Sequence, residues 1–350
     1  MEGYHGAVCA YGQTSTGKTH TMMGAGASAP GVVPLAIDEC FAHISRADAD
    51  REYVLRVSYL EIYNEALVDL LCPTTPSTAI RVLDDKLKGV VVHGLKEHVV
   101  MSPAQVTALI AAGEAHRHVG QTAANDQSSR SHTIFRMVIE SRLKDAAAPG
   151  AAPRGASAAD KAAAAAAAKA AMTTRVSILN LVDLAGSESA RLAGYADADA
   201  GGGARGGGGG GGGGSDRDLQ GGGVATRASS RQKEGGFINK SLLTLGHVVS
   251  KLVELQSVRD AAAAAASAAG GDARAVHNAA QAASERAARG VHVPYRDSKL
   301  TRLLQPSLSG AAQVAIVCTV TPAALQSEET LNTLKFAARA KRVRSRARRT

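Results

Sequence analysis

The sequence is poor in aromatic residues and in paired cysteines. It contains no tryptophan and only 3% aromatic residues, although hydrophobic residues make up 45%, enough for a substantial core. The four cysteines are scattered without a C-x-x-C pair, which argues against a disulfide scaffold and against a paired-cysteine metal site. Three of them stand in apolar surroundings, so we expect reduced core thiols in a cytosolic protein; the four are Cys9, Cys40, Cys72 and Cys318.

Long apolar runs and a secretory leader are also missing. The alanine tracts are interrupted by charge, so no run of 18 or more apolar residues is available to span a bilayer. The first residues, MEGYH, lack the basic-then-apolar layout of a signal peptide. The formal net charge is +9, which favours an acidic partner: a nucleic acid, an anionic membrane surface or an acidic protein.

A glycine-rich stretch close to the N-terminus is the strongest chemical signal. The apolar run AVCAY leads into GQTSTGKT, which fits G-x-x-x-x-G-K-[ST] between a strand and a helix. Glycines let the backbone wrap a phosphate chain, the lysine adds a positive charge, and the last threonine can bind Mg²⁺. We therefore predict a phosphate site made of Gly12, Gln13, Thr14, Ser15, Thr16, Gly17, Lys18 and Thr19.

Apolar periodicity along the chain predicts a mixed α/β fold. A strand that leads straight into a phosphate loop implies an open, mostly parallel sheet with helices on both faces. Residues 52–63 and 133–143 have the β-branched and aromatic content of strands, whereas 64–71 has the pattern of a short helix. The best amphipathic helix covers 238–255. Three low-complexity insertions, at about 145–172, 193–226 and 258–290, fall between elements and are expected to be loops.

Two further stretches carry hydroxyl and carboxylate groups suited to phosphoryl transfer. The first is NDQSSRSH at 125–132, and the second is DLAGSE at 183–188, at the end of a predicted strand. An aspartate in this place can hold Mg²⁺ through water, a glycine N–H can contact a terminal phosphate, and hydroxyls can reach the metal and the attacking water.

Taken together, these motifs resemble a kinesin motor domain. The family's phosphate loop (12–19), first switch (125–132) and second switch (183–188) occur in the family's order. They are followed by NKSLLTLG at 239–246 and HVPYRDSKLTRLL at 292–304. The resemblance runs from residue 3 to about 344, apart from the insertions. Details such as SSRSHTIFRMVIES resemble most the mitotic, centromere-associated subfamily.

The resemblance implies an ATP-dependent, microtubule-stimulated ATPase with ATP and Mg²⁺ as cofactors. Lys18 and Thr19 would bind phosphate and metal, and His20 would lie near the nucleotide base. Ser129 would bind Mg²⁺, and Asp183 would support the metal through water.

The same resemblance assigns roles in hydrolysis to the two switches. Ser128 would help to place the attacking water, and Gly186 would sense the γ-phosphate. Arg130 and Glu188 would form a salt bridge that latches the two switches together.

A basic face is expected to bind microtubules. The resemblance places the helix at 238–255 and the segment 292–304 on this face, where Lys240, Arg296, Lys299 and Arg302 would meet acidic tubulin. We expect no nucleic-acid partner, no membrane insertion, and a location in the cytoplasm on the microtubule cytoskeleton, including the mitotic spindle.

Some family features have no counterpart in the sequence. One motor domain over 1–344 is expected, with 345–350 as the start of a neck linker or a basic tail. The family's first strands and its R-x-R-P adenine-packing segment are absent, and dimerisation would need a stalk outside this chain.

The alternative function is an inactive microtubule-binding module, or a fragment lacking part of the nucleotide site. A GTPase is disfavoured because no N-K-x-D motif occurs.

Overall fold

The computed structural model describes residues 2–26, 28–46, 51–85, 89–119, 127–144, 174–188, 225–268, 273–345 and 347. Seven strands in these ranges form one sheet: β1 (His5–Gly12), β2 (Arg51–Tyr63), β3 (Ala66–Asp69), β6 (His98–Val100), β7 (His132–Leu143), β8 (Arg175–Asp183) and β9 (Ala312–Thr319). Their order in the sheet is β3-β2-β7-β8-β1-β9, and β6 pairs with β2 beside this path. Two more strands, β4 (Arg81–Asp85) and β5 (Gly89–His93), form a separate hairpin.

The sheet is mixed rather than mostly parallel, which corrects the expectation from sequence. Only β8, β1 and β9 run parallel to one another, whereas β2 pairs antiparallel with β3, β6 and β7, and β7 pairs antiparallel with β8. The phosphate-loop motif reports only on the strand that carries it. It therefore predicts the parallel part correctly and says nothing about the antiparallel half.

Helices cover both faces of the sheet, as expected. One apolar core lies under α1 (Lys18–Met23), α2 (Val32–Arg46) and α3 (Pro103–Val119). The other lies under α4 (Ala225–Ala268), α6 (Lys299–Pro306) and α7 (Ser327–Ala340). The remaining helix is α5 (Ala273–Ala288), which packs on α4. Among the described helices, none is both long and apolar enough to cross a lipid bilayer.

Residues 64–71 form a hairpin turn and a strand, not the short helix that their pattern predicts. Asn64 and Glu65 have φ values of 50° and 57°, and the turn pairs Tyr63 with Ala66. Two successive left-handed residues make the turn whose twist suits an antiparallel hairpin. Burial of Leu67 in the sheet core then favours the strand over the helix.

The described residues of the third insertion, at 258–290, are almost all helical where a loop was expected. Helix α4 runs on to Ala268, and α5 packs back against it. Alanine has the highest helix propensity, and pairing of two helices gives each of them a surface to bury. The first insertion lies outside the described residues, and so does the second, except for its last two positions, which begin α4.

Two glycines in helices test how closely α3 and α4 pack against their surroundings. A Cβ on Gly113 in α3 would stand 2.7 Å from Cδ1 of the fully buried Tyr59, whereas a Cβ on Gly246 in α4 would meet nothing within 4 Å. Replacing a helical glycine by alanine gains about 0.5–1 kcal/mol where space allows, and overpacking costs about 1–3 kcal/mol. We expect Gly246→Ala to stabilise the protein and Gly113→Ala to destabilise it, as measured by urea unfolding. Equal stability of the two variants would contradict the described contact.

Candidate nucleotide site and basic face

The phosphate loop lies at the end of the parallel part of the sheet. Strand β1 pairs with β8 so that Ala10 stands opposite Asp183, and the backbone N–H of Leu184 donates to the carbonyl oxygen of Ala10. Gly12 ends the strand, where a Cβ would lie 2.3 Å from the carbonyl oxygen of Thr319. Gly17 has a φ of 93° and forms the N-cap of α1. These two glycines let the loop turn tightly between β1 and α1.

Lys18 and Thr19 point to the same polar centre. The Lys18 ammonium is buried and donates to the Gln13 carbonyl oxygen at 2.8 Å. Burial lowers the pKa of Lys18, and the nearby carboxylates of Asp183 and Glu188 oppose that shift. The Thr19 hydroxyl donates to Asp183 Oδ2 at 2.6 Å. The predicted phosphate-binding lysine and both of these predicted metal-site residues therefore lie together.

This centre has binding capacity that the protein itself does not use. Within the described part of the chain, three buried side-chain oxygens at the site have no hydrogen-bond partner: Gln13 Oε1, Thr14 Oγ1 and Asp183 Oδ1. Burial raises the pKa of Asp183, while the Thr19 hydrogen bond and the charges of Arg117 and Lys18 oppose the shift. A buried polar atom without a partner is costly, and a hydrated cation and a phosphate would supply partners. The residues present therefore fit Mg²⁺ and a nucleoside triphosphate.

The second predicted switch contacts both the first predicted switch and the phosphate loop. The backbone N–H of Gly186 donates to the Ser129 carbonyl oxygen at 2.9 Å, and that of Thr14 donates to Glu188 Oε2 at 2.9 Å. A Cβ on Gly186 would approach Thr14 Oγ1 to 2.3 Å, so a larger residue would have to displace the Thr14 and Glu188 side chains. The second switch thus links the first switch to the loop; closure of both switches around a nucleotide stays a prediction.

Several assigned roles remain predictions. The backbone of Ser128 belongs to the turn Gln127–Arg130, but its side chain lies outside the described part of the structure. The roles of Ser15 and Thr16 toward phosphate, of His20 toward the base, of Ser129 toward metal, and of Arg130 as the partner of Glu188 are likewise untested. His20 is exposed at the first turn of α1.

A buried ionic network behind the first switch escaped the sequence analysis. The side chain of Arg117 on α3 is only 5% exposed. Its Nε lies 3.4 Å from Glu61 Oε1, and its Nη1 lies 3.7 Å from Glu114 Oε2. Its Nη2 also donates to the Ser131 hydroxyl at 3.1 Å. No local pattern marks Arg117 as different from an exposed helical arginine, because its pairing with Glu114 is common on helix surfaces and the buried Glu61 comes from a distant strand.

His132, the residue after Ser131, connects three parts of the chain: its own strand β7, the second switch and helix α4. The N–H of Ala185 donates to its Nδ1 at 3.0 Å, and its Nε2 lies 2.7 Å from the Ser241 hydroxyl on α4. Burial and the charges of Lys18 and Arg117 lower the pKa of His132 to about 3, so the imidazole is neutral. Since Nδ1 accepts a hydrogen bond, the proton lies on Nε2, which donates to Ser241.

The four predicted microtubule-binding residues lie beside two acidic residues that the sequence analysis also missed. Arg296 and Arg302 both donate to Asp84 Oδ2 on β4, at 2.8 and 3.0 Å. The backbone N–H of Lys299 donates to Glu65 at the β2–β3 turn; Lys299 and Lys240 both act electrostatically on this carboxylate. Burial raises the pKa of Glu65, and these contacts oppose the shift. The structure thus gathers α4, α6 and two hairpins into one surface, called here the basic face.

Taken together, the strand, the glycine loop with its buried lysine, and the two contacting switches define a P-loop nucleotide-binding domain. Within that class, the chain belongs to the kinesin motor domain family, because residues 1–201 and 214–343 match the family model described as "Kinesin motor domain". Nucleotide binding with Mg²⁺ is general in this family.

Curated relatives agree with this assignment. The chain is 41% identical to Kinesin-related protein 11 of Dictyostelium discoideum over 347 residues, which is 99% of this chain and 39% of the relative. It is 43% identical to the rice protein "Kinesin-like protein KIN-7D, chloroplastic" (Oryza sativa subsp. japonica) over 98% of this chain and 25% of the relative. The chain therefore spans two fifths or less of the length of these relatives. Their names do not support the expected mitotic, centromere-associated subfamily.

A solved structure agrees as well. The structure of a fast kinesin superposes with a TM-score of 0.64 at 30% identity, covering 99% of this chain and 73% of that one. The kinesin fold expected from sequence is thus confirmed, with the corrections to the sheet and to the third insertion given above.

Asp183 allows the metal assignment to be tested. We expect Asp183→Asn to weaken binding of MgATP by about tenfold or more, since a charged contact to a buried cation is lost. Binding of ATP in EDTA should change much less. Nucleotide titrations with and without Mg²⁺ measure the difference. Asp38→Asn, which removes the same charge from an exposed position on α2, is the matched control. An equal loss with and without Mg²⁺ would contradict a metal role.

Proposed function

We propose that the chain is an ATP-driven microtubule motor domain that hydrolyses ATP with Mg²⁺ and couples closure of its switches to microtubule binding. The observation that supports this most directly is that the second switch contacts both the first switch and the phosphate loop, beside the buried Lys18 and Asp183. Hydrolysis needs such an arrangement, because catalysis of phosphoryl transfer consists mainly of positioning and charge stabilisation.

The chain's own residues can be assigned to the steps of this reaction. ATP supplies the phosphoryl group, and Mg²⁺ supplies charge that neutralises the phosphate oxygens. Lys18 and the loop backbone would hold the phosphates, and Thr19, Ser129 and Asp183 would hold the metal. Ser128 and the N–H of Gly186 would orient the attacking water. We infer that Arg130 and Glu188 keep the switches closed and exclude bulk water.

The basic face is proposed to bind tubulin, which is acidic. Lys240, Arg296, Lys299 and Arg302 would provide the contacts, and salt should screen them. Asp84 and Glu65 already neutralise part of this charge within the chain. An acidic partner must therefore compete with these two carboxylates.

Finer assignments belong to the same proposal. Relatives named KIN-7 support a KIN-7-type motor, whereas the mitotic, centromere-associated subfamily stays a prediction. The microtubule cytoskeleton is the proposed location; relatives include proteins named chloroplastic, so the cytoplasm and the spindle stay predictions. Dimerisation through a stalk, absence of a nucleic-acid partner and absence of membrane insertion are also predictions.

Turnover and salt dependence test this proposal. We expect ATP turnover that microtubules stimulate, and microtubule binding that weakens steeply with added salt. Replacing Lys299 and Arg302 together by alanine should weaken microtubule binding about two- to thirtyfold, the effect of two exposed charge pairs, without changing ATP affinity. Co-sedimentation and steady-state turnover are the measurements.

Two matched variants sharpen this test. Asp84→Asn removes the intramolecular competitor and should strengthen microtubule binding by up to about fivefold. Arg46→Ala removes a charge from α2, which covers the opposite face of the sheet, and should have no effect on microtubule binding. Microtubule binding without ATP turnover would favour the inactive binding module, and unchanged binding in the double variant would refute the basic-face assignment.

The proposed latch between Arg130 and Glu188 has its own test. Glu188→Ala should bind ATP nearly as well as the unmodified chain, because Lys18 and Thr19 are kept, but hydrolyse it about a hundredfold more slowly, because the closed geometry of the switches is lost. Exchanging the charges, with Arg130→Glu and Glu188→Arg, should recover part of the activity, since the pair can form again. Small single effects, or effects that simply add in the double-mutant cycle of microtubule-stimulated turnover, would rule out a coupled latch.

A further inference from the structure

His132 occupies a position between the nucleotide side and the basic face. It begins β7 two residues after Arg130, and its side chain is 2% exposed. One ring nitrogen is bound to the backbone of the second switch at Ala185, and the other to Ser241 near the start of the apolar stripe of α4. Its neighbour Ser131 is held by Arg117, so the segment that carries the ring is itself fixed.

We propose that His132 is a positioning residue that couples the state of the two switches to the microtubule-binding helix α4 through Ser241. The inference rests on the proposed function, because it requires that α4 takes part in microtubule binding. It assigns no contact with nucleotide to His132; the ring acts through Ala185 on one side and through Ser241 on the other.

The geometry of the two hydrogen bonds supports coupling rather than packing alone. A neutral imidazole has one donor and one acceptor, and both are used here by different elements. If the second switch moves, the Ala185 N–H moves with it, and the ring must follow or leave Nδ1 without a partner. A buried nitrogen without a partner is unfavourable, so the ring follows and takes the Ser241 bond with it. Two elements that share one rigid ring thus cannot shift independently.

The chain offers variants that separate the two halves of this bridge. Ser241→Ala removes a single oxygen and leaves His132 bound to Ala185. His132→Asn places an amide oxygen near the position of Nδ1, so the Ala185 bond can persist, but its side chain is too short to reach Ser241. Ser257→Ala is the control on the same helix, since that serine is exposed and its hydroxyl donates to the Glu254 carbonyl oxygen of α4 itself.

The experiment measures coupling directly. Microtubule dissociation constants are determined by co-sedimentation with ADP and with a non-hydrolysable ATP analogue, and their ratio reports how strongly nucleotide state and microtubule binding are coupled. We expect Ser241→Ala and His132→Asn each to reduce this ratio by about fivefold or more, the lower range of measured allosteric couplings. The double variant should lose no more than the larger single loss, because both changes break one link. Ser257→Ala should leave the ratio unchanged.

Turnover and unfolding distinguish positioning from a purely structural role. Microtubule-stimulated turnover should fall more than basal turnover in both variants, while the thermal midpoint of Ser241→Ala stays close to that of the unmodified chain. An unchanged ratio in both variants, or equal losses of basal and stimulated turnover, would overturn the inference and leave the proposed function standing. An unmodified chain whose microtubule affinity ignores the nucleotide would instead contradict the proposed function, and the inference with it.

Discussion

The register between β1 and β8 is the constraint on which the site depends. It sets Ala10 opposite Asp183, so the loop that follows β1 and the switch that follows β8 start from the same edge of the sheet. A slip by one residue would turn Asp183 to the other face and remove it from the Thr19 hydroxyl. The parallel direction matters equally, because it brings the carboxyl ends of both strands together. The antiparallel half of the sheet adds core and carries the first switch to the same edge through β7.

The proximity of Lys18, Thr19 and Asp183 was easier to predict from sequence than the strand pairing around them. The loop and both switches are contiguous motifs. In each of them the residue spacing suits contact with a phosphate group or its metal, so a short stretch of sequence is enough to predict its chemistry. The antiparallel half of the sheet depends on pairing between distant strands, which the motif does not encode. The strand Ala66–Asp69 was mistaken for a helix because its turn uses two left-handed residues that are not glycine.

Charged partners were harder to predict than charged motifs. Arg117 and Glu61 lie far apart in sequence and become neighbours only in the folded chain, where both are almost fully buried. Likewise, the basic residues at 292–304 are evident in the sequence, but the carboxylate that binds two of them comes from a hairpin much earlier in the chain. A count of lysines and arginines therefore overstates the charge that the basic face presents to a partner. Asp84, which lowers this charge, also orients the guanidinium groups of Arg296 and Arg302, so it influences geometry as well as binding strength.

Helix α4 continues beyond Ser241 as a long arm that ends at Ala268. From Ser241 to Ala268 the helix is uninterrupted and extends about 40 Å at the usual rise per residue. Helix α5 packs back along it, which stiffens the outer part against bending. A rotation of about 5° at the Ser241 end would therefore carry the far end through about 3.5 Å. What is a small adjustment beside the nucleotide site becomes, at the tip of this arm, a displacement large enough to make or break a contact with a neighbouring molecule.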